Sequence, residues 1–385
     1  MKVALLSDCY LPRLGGIEVQ VHDLARRLTT AGHEVEVCTI TPGPADPVDG
    51  VRVHRLGLRR ELPGDLLVDP LAVRPLRKLL RDSGFDVAHA HMGVLSPFAM
   101  DAVRVSLGLG VPTAVTWHCV TARAEPVVGL AGYVRRWARR GAALSAVSAV
   151  AAEPIRRLSA APVAILPNGI DVDYWSPRSV RNGGAAQGEN AQPGNGVRVA
   201  SAMRLAARKR PLELVQAVRE AREIVAGAVD IQLEILGEGP LRGRLEATGA
   251  GDWCSLPGRL SREQLRERYR SADVYVAPAR LEAFGIAALE ARSVGLPVVA
   301  PRRSGVASFV VDGQNGLLAD DDAGLAAAIA RVALDQDLRA RMADLNRTER
   351  PVQSWPAVVE LAEAEYRRAI TLRRAGGVGA DGHEG

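Results

Sequence analysis

Short apolar runs alternate with amphipathic helical stretches along almost the whole chain, and few folds accommodate that order. Val3-Ala4-Leu5-Leu6 reads as a strand, Ile17 to Thr30 as a helix burying Val21, Leu24, Ala25 and Leu28, and Val35 to Ile40 as a second strand. Successive strands joined by a helix pair in parallel, because a crossover of this length returns the chain to the same edge of the sheet. The same reading places strands at 86–91, 112–118, 143–148, 197–200, 230–236, 273–277 and 297–300. The expected class is α/β, built of doubly wound parallel sheets. Ligands of such sheets bind beyond the carboxyl ends of the strands.

One stretch breaks the alternation. Residues 176–196, SPRSVRNGGAAQGENAQPGNG, hold almost no large apolar side chain and read as a flexible connection. Because 385 residues exceed what one core usually organises, the expected layout is a Rossmann-like domain at 1–173, a linker at 174–196 and a second Rossmann-like domain at 197–350. A helical stretch follows over 351–373, and the Gly-rich end, 374–385, reads as a disordered tail.

Charge and cysteine usage exclude several classes. The surplus is only +5 with both signs interspersed and aromatics at 4%, so no basic stripe with interleaved aromatics invites a nucleic acid. A mild positive surplus favours anionic ligands. Cys9, Cys38, Cys119 and Cys254 are too far apart for a CxxC pair or a zinc-ligand cluster, which points to a reducing, cytoplasmic setting. Asp8 and Pro12 interrupt the first apolar run too early for a signal peptide. No apolar stretch approaches the ~18 residues of a membrane span.

Four segments carry the chemistry. Pro278 to Ala291 leaves a strand, crosses a short loop and enters a helix near Phe284. Gly285 allows close backbone approach, and free N–H groups around Phe284 to Ala287 make an anion site at a helix N-terminus. Glu282 before the helix and Glu290 within it flank that site, where carboxylates suit sugar or ribose hydroxyls. Taken alone, Glu282 is better read as an acid favoured by the helix dipole. Arg204 follows the strand at 197–200 and Lys209 precedes the next helix, two cations able to neutralise a diphosphate and stabilise it as a leaving group. Gly15-Gly16, after the first strand, lets a phosphate approach, though a Gly pair is more often a simple turn. His118 ends a strand and, taken by itself, is more often a packed, hydrogen-bonded ring than a catalytic one. Asp171-Val172-Asp173 and Asp320-Asp321-Asp322 read as loop and turn chemistry, so no metal site is expected.

Together these segments resemble the retaining glycosyltransferases of family 4, over roughly residues 1 to 370. The carrying motifs are Glu282 with Glu290, the Arg204/Lys209 pair and the turn Pro167-Asn168-Gly169-Ile170-Asp171. Gly15-Gly16, Thr116-Trp117-His118, Gly237-Glu238-Gly239-Pro240 and Pro257-Gly258-Arg259-Leu260 fit beside them. Ala279-Arg280 departs from the family, where Ser often follows the proline. The resemblance implies the GT-B architecture, two facing Rossmann-like domains, with the acceptor bound by the first and the nucleotide sugar by the second. It also implies that the Trp355 helix crosses back to the N-terminal domain.

The resemblance further implies a role for each residue. Glu282 would contact the donor sugar and Glu290 the ribose. Arg204 and Lys209 would hold the diphosphate with the backbone of Phe284, Gly285 and Ile286, and Gly16 would border it. His118 would lie near the transferred sugar, and Arg259 and Leu260 would flank the base. The implied reaction moves a hexose-type sugar from a nucleotide diphosphate sugar to a hydroxyl acceptor (lipid, glycan or small metabolite). It proceeds with retention, by a same-face route, without a metal or other cofactor.

Base, sugar and acceptor stay open at this stage. Arg74, Arg77, Lys78 and Arg81 on one helix, and Arg135, Arg136, Arg139 and Arg140 on another, suit peripheral contact with an anionic membrane as well as they suit solvated faces. Two alternatives stand beside the transferase. One is a non-catalytic nucleotide-sugar binding protein; the other is a GT-B enzyme of different chemistry, such as a sugar-nucleotide epimerase.

Overall fold

A computed structural model describes residues 1–13, 15–44, 46–57, 69–121, 130–177 and 196–377. The chain divides into two units, Met1–Gly169 with Gln353–Gly385, and Ile170–Val352.

The first unit opens with β1 (Lys2–Ser7), α1 (Gly16–Thr30), β2 (Glu34–Thr39) and β3 (Arg52–Arg55). It continues with α2 (Val73–Asp82), β4 (Val87–Met92), α3 (Pro97–Leu109), β5 (Thr113–Trp117), α4 (Leu130–Arg139), β6 (Ala143–Ala146), α5 (Ala149–Ser159) and β7 (Val163–Ile165). Among the described residues, seven parallel strands form one sheet in the order β3-β2-β1-β4-β5-β6-β7. β4 and β5 are buried along their whole length, as expected of strands covered on both faces. Their polar residues, His89, His91, Thr113 and Thr116, are therefore buried with the rest.

The second unit holds β8 (Gly196–Ala202), α6 (Pro211–Val225), β9 (Asp230–Leu236), α7 (Arg242–Glu246), β10 (Cys254–Gly258) and α8 (Arg262–Ser271). β11 (Val274–Val276), α9 (Ile286–Val294), β12 (Val298–Pro301), β13 (Gly316–Ala319), α10 (Asp322–Leu334) and α11 (Gln336–Thr348) complete it. Its parallel sheet runs β10-β9-β8-β11-β12-β13. Val197, Val199, Ile231, Leu233, Val274, Val276 and Val299 from the strands pack with Leu214, Val218, Leu325 and Ile329 from the helices.

Two boundaries differ from the sequence reading. Tyr174 and Trp175, expected to open the linker, are held in the second unit. Trp175 is fully buried, its ring 5.8 Å from that of Tyr269, and Arg266 donates to the Tyr174 carbonyl at 3.2 Å. Aromatic area, not composition, fixes this end. Residues 178–195 lie outside the described residues. At the other end α12 (Trp355–Gly377) continues past 373, so the first residues assigned to a tail are helical; residues 378–385 lie outside the described residues.

α12 belongs to the first unit. It lies on β4, β5 and β6 beside α1, and its Trp355, Val358, Val359, Ala362, Tyr366 and Ala369 share a core with Val3, Leu5, Val37, Val87 and Ala114. Gly169 meets it closely: a Cβ there would stand 2.6 Å from the Trp355 ring, so only glycine fits. Gln20 of α1 clamps the same glycine, donating to its carbonyl and accepting from its N–H at 3.0 Å each. Trp355→Ala is therefore expected to destabilise the first unit by about 3–5 kcal/mol, the range for truncating a buried aromatic. A urea titration followed by circular dichroism checks it; an unchanged midpoint contradicts this packing.

Candidate active site

Each sheet reverses its strand order beside the unit's first strand, between β1 and β4 and between β8 and β11. Loops leaving two such neighbours go opposite ways and open a crevice at their carboxyl ends. Gly16, Arg204, Lys209 and Glu282 lie on the segments that leave these strands, whereas His118 follows β5 and Arg259 and Leu260 follow β10.

In the second unit Arg204 and Lys209 follow β8, and Glu282 follows β11. Lys209 Nζ donates to Glu282 Oε2 at 2.5 Å, so the chain joins across the reversal point two residues that lie 73 apart in sequence. Their side chains keep 26% and 20% exposure, at which such a pair contributes only about 0–1 kcal/mol to stability. The fold does not depend on it.

The neighbouring arginine behaves differently. Arg210 takes the left-handed conformation, φ +60°, and grips Asp322 through two nitrogens at 2.9 and 2.6 Å while reaching the Pro278 carbonyl at 3.3 Å. Arg280 adds a contact to the same carboxylate at 3.1 Å. The Arg210 hydrogen bond holds Asp322 below the usual carboxylate range. Asp322, read from sequence as part of a solvated turn, is thus an anchor that fixes the loop presenting Lys209. Asp321 caps α10 by accepting from Gly324, and Asp320 pairs with Arg302.

α9 begins at Ile286, two residues later than the sequence suggested. Gly285 caps it in the left-handed region at φ +91°, where a Cβ would also stand 2.6 Å from Val306. The Glu282 carbonyl accepts from Gly305 N–H at 2.7 Å, which pins the backbone just before the cap. Phe284 points its buried ring at Phe309, centroids 5.5 Å apart, so only its backbone is available to the site. Glu290 sits one turn into α9, half-buried. Burial, reinforced by the Glu290 charge, keeps the Tyr275 hydroxyl protonated, and that hydroxyl both donates to and accepts from the backbone of Ala202 at 3.2 Å. It braces the end of β8 from which Arg204 departs. Arg259 and Leu260 lie in the β10–α8 loop, two strands from β8, and so stand apart from the Lys209–Glu282 contact.

In the first unit Gly16 starts α1, and His118 follows β5. His118 Nε2 is 3.0 Å from His91 Nδ1, and its Nδ1 is 3.2 Å from Asn168 Oδ1. His89 packs against His91 with ring centroids 4.1 Å apart and planes tilted by 38°, and it binds Tyr366 and Thr116 at 3.0 and 2.7 Å. Burial lowers His118 to about 4 and His89 to about 3, and takes His91 well below the ordinary value. All three are neutral at pH 7. Sequence reasoning missed His91, Asn168 and Tyr366 as a set with His118. One signal was available: His89 and His91 are two apart on one strand and therefore share a face.

Asp171 accepts from Tyr174 N–H at 3.0 Å and Asp173 pairs with Arg350, as loop chemistry requires. Among the described residues, no three His, Cys, Asp or Glu side chains are gathered in a metal-holding group.

Acidification should loosen the first unit. Below pH 6.5 the unfolded chain protonates His89, His91 and His118 while the folded chain does not, so stability falls as pH drops toward 4. Asp8 works in the opposite sense, because burial raises its carboxyl to about 7 and the folded state keeps that proton. Three sites outweigh one. The urea midpoint is expected to be lower at pH 5 than at pH 7, with a smaller difference in His118→Asn; a midpoint that rises on acidification contradicts this balance.

Comparison with known proteins follows the same division. The model described as Glycosyltransferase Family 4 matches residues 14–174, and the model described as Glycosyl transferases group 1 matches residues 185–348. The chain is similar to a D-inositol 3-phosphate glycosyltransferase of Arthrobacter sp. (strain FB24), 29% identical over 80% of this chain and 78% of that one. It is similar to the phosphatidyl-myo-inositol mannosyltransferase of Mycobacterium leprae, 27% identical over 96% and 98%. Among solved structures, Anabaena HepE in complex with UDP and glucose aligns over 94% of this chain and 99% of its own, with TM-score 0.70 and 17% identity. The fold class is the one seen in GT-B glycosyltransferases.

Proposed function

The chain belongs to family 4 of the glycosyltransferases, group 1, and we propose that it moves a hexose-type sugar from a nucleotide diphosphate sugar to a hydroxyl acceptor with retention and without a metal. The observation that carries this is the Lys209–Glu282 contact at the reversal point of the second sheet, beside the N-terminus of α9.

In this reading Lys209 leaves Glu282 for the diphosphate when donor binds, and Glu282 turns to a sugar hydroxyl. Arg204 and the backbone N–H groups of Phe284, Gly285 and Ile286 complete a positive field around the phosphates. Glu290 takes the ribose, and Arg259 and Leu260 flank the base. Gly16 borders the phosphates, and His118 lies near the transferred sugar. Charge building on the leaving diphosphate is then met by fixed cations and dipoles, so no metal is needed. The departing phosphate oxygen takes the proton of the acceptor hydroxyl on the same face of the sugar.

Acceptor choice belongs to the first unit. The similar proteins are named for inositol phosphate and phosphatidyl-inositol acceptors, which supports a phosphorylated polyol or its lipid as acceptor class. Among the described residues, no helix is long and apolar enough to cross a membrane. Leu76 and Leu80 of α2, and Val134 and Trp137 of α4, are buried inward, so contact with an anionic bilayer rests mainly on the exposed arginines and lysine, with Tyr133 of α4 and Leu71 before α2 also exposed. Sedimentation with anionic vesicles is expected at low salt and should vanish at moderate salt; no sedimentation at either rules the contact out.

A nucleoside diphosphate is expected to raise the melting temperature of the protein, with UDP and GDP compared directly. Lys209→Ala should lower kcat by about 10²–10³-fold, the scale for losing one group that stabilises transition-state charge. Product anomeric configuration read by NMR should match the donor, and activity should survive a chelator. An inverted product or chelator-sensitive turnover defeats the corresponding half of the proposal.

A further inference from the structure

We infer that His91 is a positioning residue: its Nδ1–H donates to His118 Nε2 and holds the His118 ring as the Nδ1–H tautomer. This rests on the reading that places His118 near the transferred sugar, and it goes beyond that reading by saying what the ring can do there.

A neutral imidazole carries one N–H and one lone pair. Both nitrogens of His118 are engaged, Nδ1 with Asn168 Oδ1 at 3.2 Å and Nε2 with His91 Nδ1 at 3.0 Å. A carbonyl oxygen only accepts, so the His118 proton sits on Nδ1 and its lone pair on Nε2. The hydrogen meeting that lone pair is then the one on His91 Nδ1.

His89 supplies none. Ser145 donates to the Val115 carbonyl at 3.2 Å, Thr116 therefore donates to Ser145 at 2.7 Å, and His89 Nε2–H donates to Thr116 at 2.7 Å. The remaining nitrogen of His89 accepts from the Tyr366 hydroxyl at 3.0 Å. Both nitrogens of His89 are thus satisfied, and it meets His91 through a tilted ring contact.

The assignment leaves His91 with a lone pair on Nε2. That atom is buried without a protein partner. His91 and His118 both line a cavity of about 20 Å³ that Gln20, Thr116, Asn168 and Trp355 also wall. The hydrogen bonds of His118 therefore specify one tautomer from Asn168 through to His91 Nδ1.

The consequence is chemical. The lone pair of His118 is already engaged and its ring is neutral, so it does not take the proton of the acceptor hydroxyl. It offers the sugar a ring fixed in orientation, and His91 sets that orientation without touching the ligand.

Long-range proton–nitrogen correlation spectra of histidine-labelled full-length protein test this directly. His118 is expected to show the proton on Nδ1 in the wild type and to lose that single form in His91→Leu. Turnover of His91→Leu should drop about tenfold with donor KM nearly unchanged, the scale of one lost hydrogen bond at a reacting group. His91→Gln, which keeps a side-chain N–H donor, should recover most of it. A wild-type His118 protonated on Nε2 overturns the inference, and needs no variant to fold. An unchanged tautomer and turnover in His91→Leu overturns it equally. Full activity of His118→Ala is a different failure: it removes His118 from the sugar, while the ring measurement still decides independently what His91 does.

Discussion

A parallel strand returns to its starting edge only through a crossover, and this geometric demand shapes nearly everything else in the chain. Because all strands of a sheet run one way, all their carboxyl ends open on one edge, and every loop after a strand is delivered there. Residues separated by most of a domain thus meet without long-range design of the loops. Lys209 and Glu282 meet because β8 and β11 are neighbours in the sheet. His91 and His118 meet because β4 and β5 are neighbours in register, His91 opposite Thr116. The crossover helices then bury both faces, so a polar group in the interior is costly unless it finds a partner there.

The buried histidines show how that condition is met. Three imidazoles would each protonate in water near neutrality, yet burial holds all of them neutral. Each neutral ring needs one donor and one acceptor, and hydroxyls of Thr116, Ser145 and Tyr366 supply them for His89. Tyr366 arrives from α12, so the last helix completes the hydrogen bonding of a strand that lies nearly three hundred residues earlier in the chain. The helix is therefore more than an apolar cover.

Much of this was legible in the residues. The alternation of strands and helices, the carboxyl-end position of Arg204, Lys209, Glu282 and His118, and the glycine at 285 all follow from local pattern and backbone physics. What escaped was decided by tertiary geometry. Trp175 sits in a stretch whose composition suggests a linker, and the Tyr269 ring and the Arg262 guanidinium packed against it make it core. Asp322 looked like one of three solvated acids until Arg210 and Arg280 were seen to converge on it. The start of α9 moved two residues because Gly285 takes a left-handed cap, a backbone choice that the letters permit but do not impose.

Lys209 and Arg210 bring these strands together, since they are adjacent, carry the same charge and meet different fates. Arg210 is planar and forked, suits the two oxygens of Asp322, and its side chain is only 14% exposed. Moving it would break several contacts at once, and its left-handed backbone fixes where the next helix starts. Lys209 is a compact charge with one side-chain partner among the described residues and more solvent around it, so exchanging Glu282 for another anion breaks one bond and forms another. An ion pair worth little to the fold is the kind a ligand can replace at little cost. In the proposed reaction the arginine therefore holds the loop still while the lysine remains free to change partners, and a swap of the two residues would lose both properties.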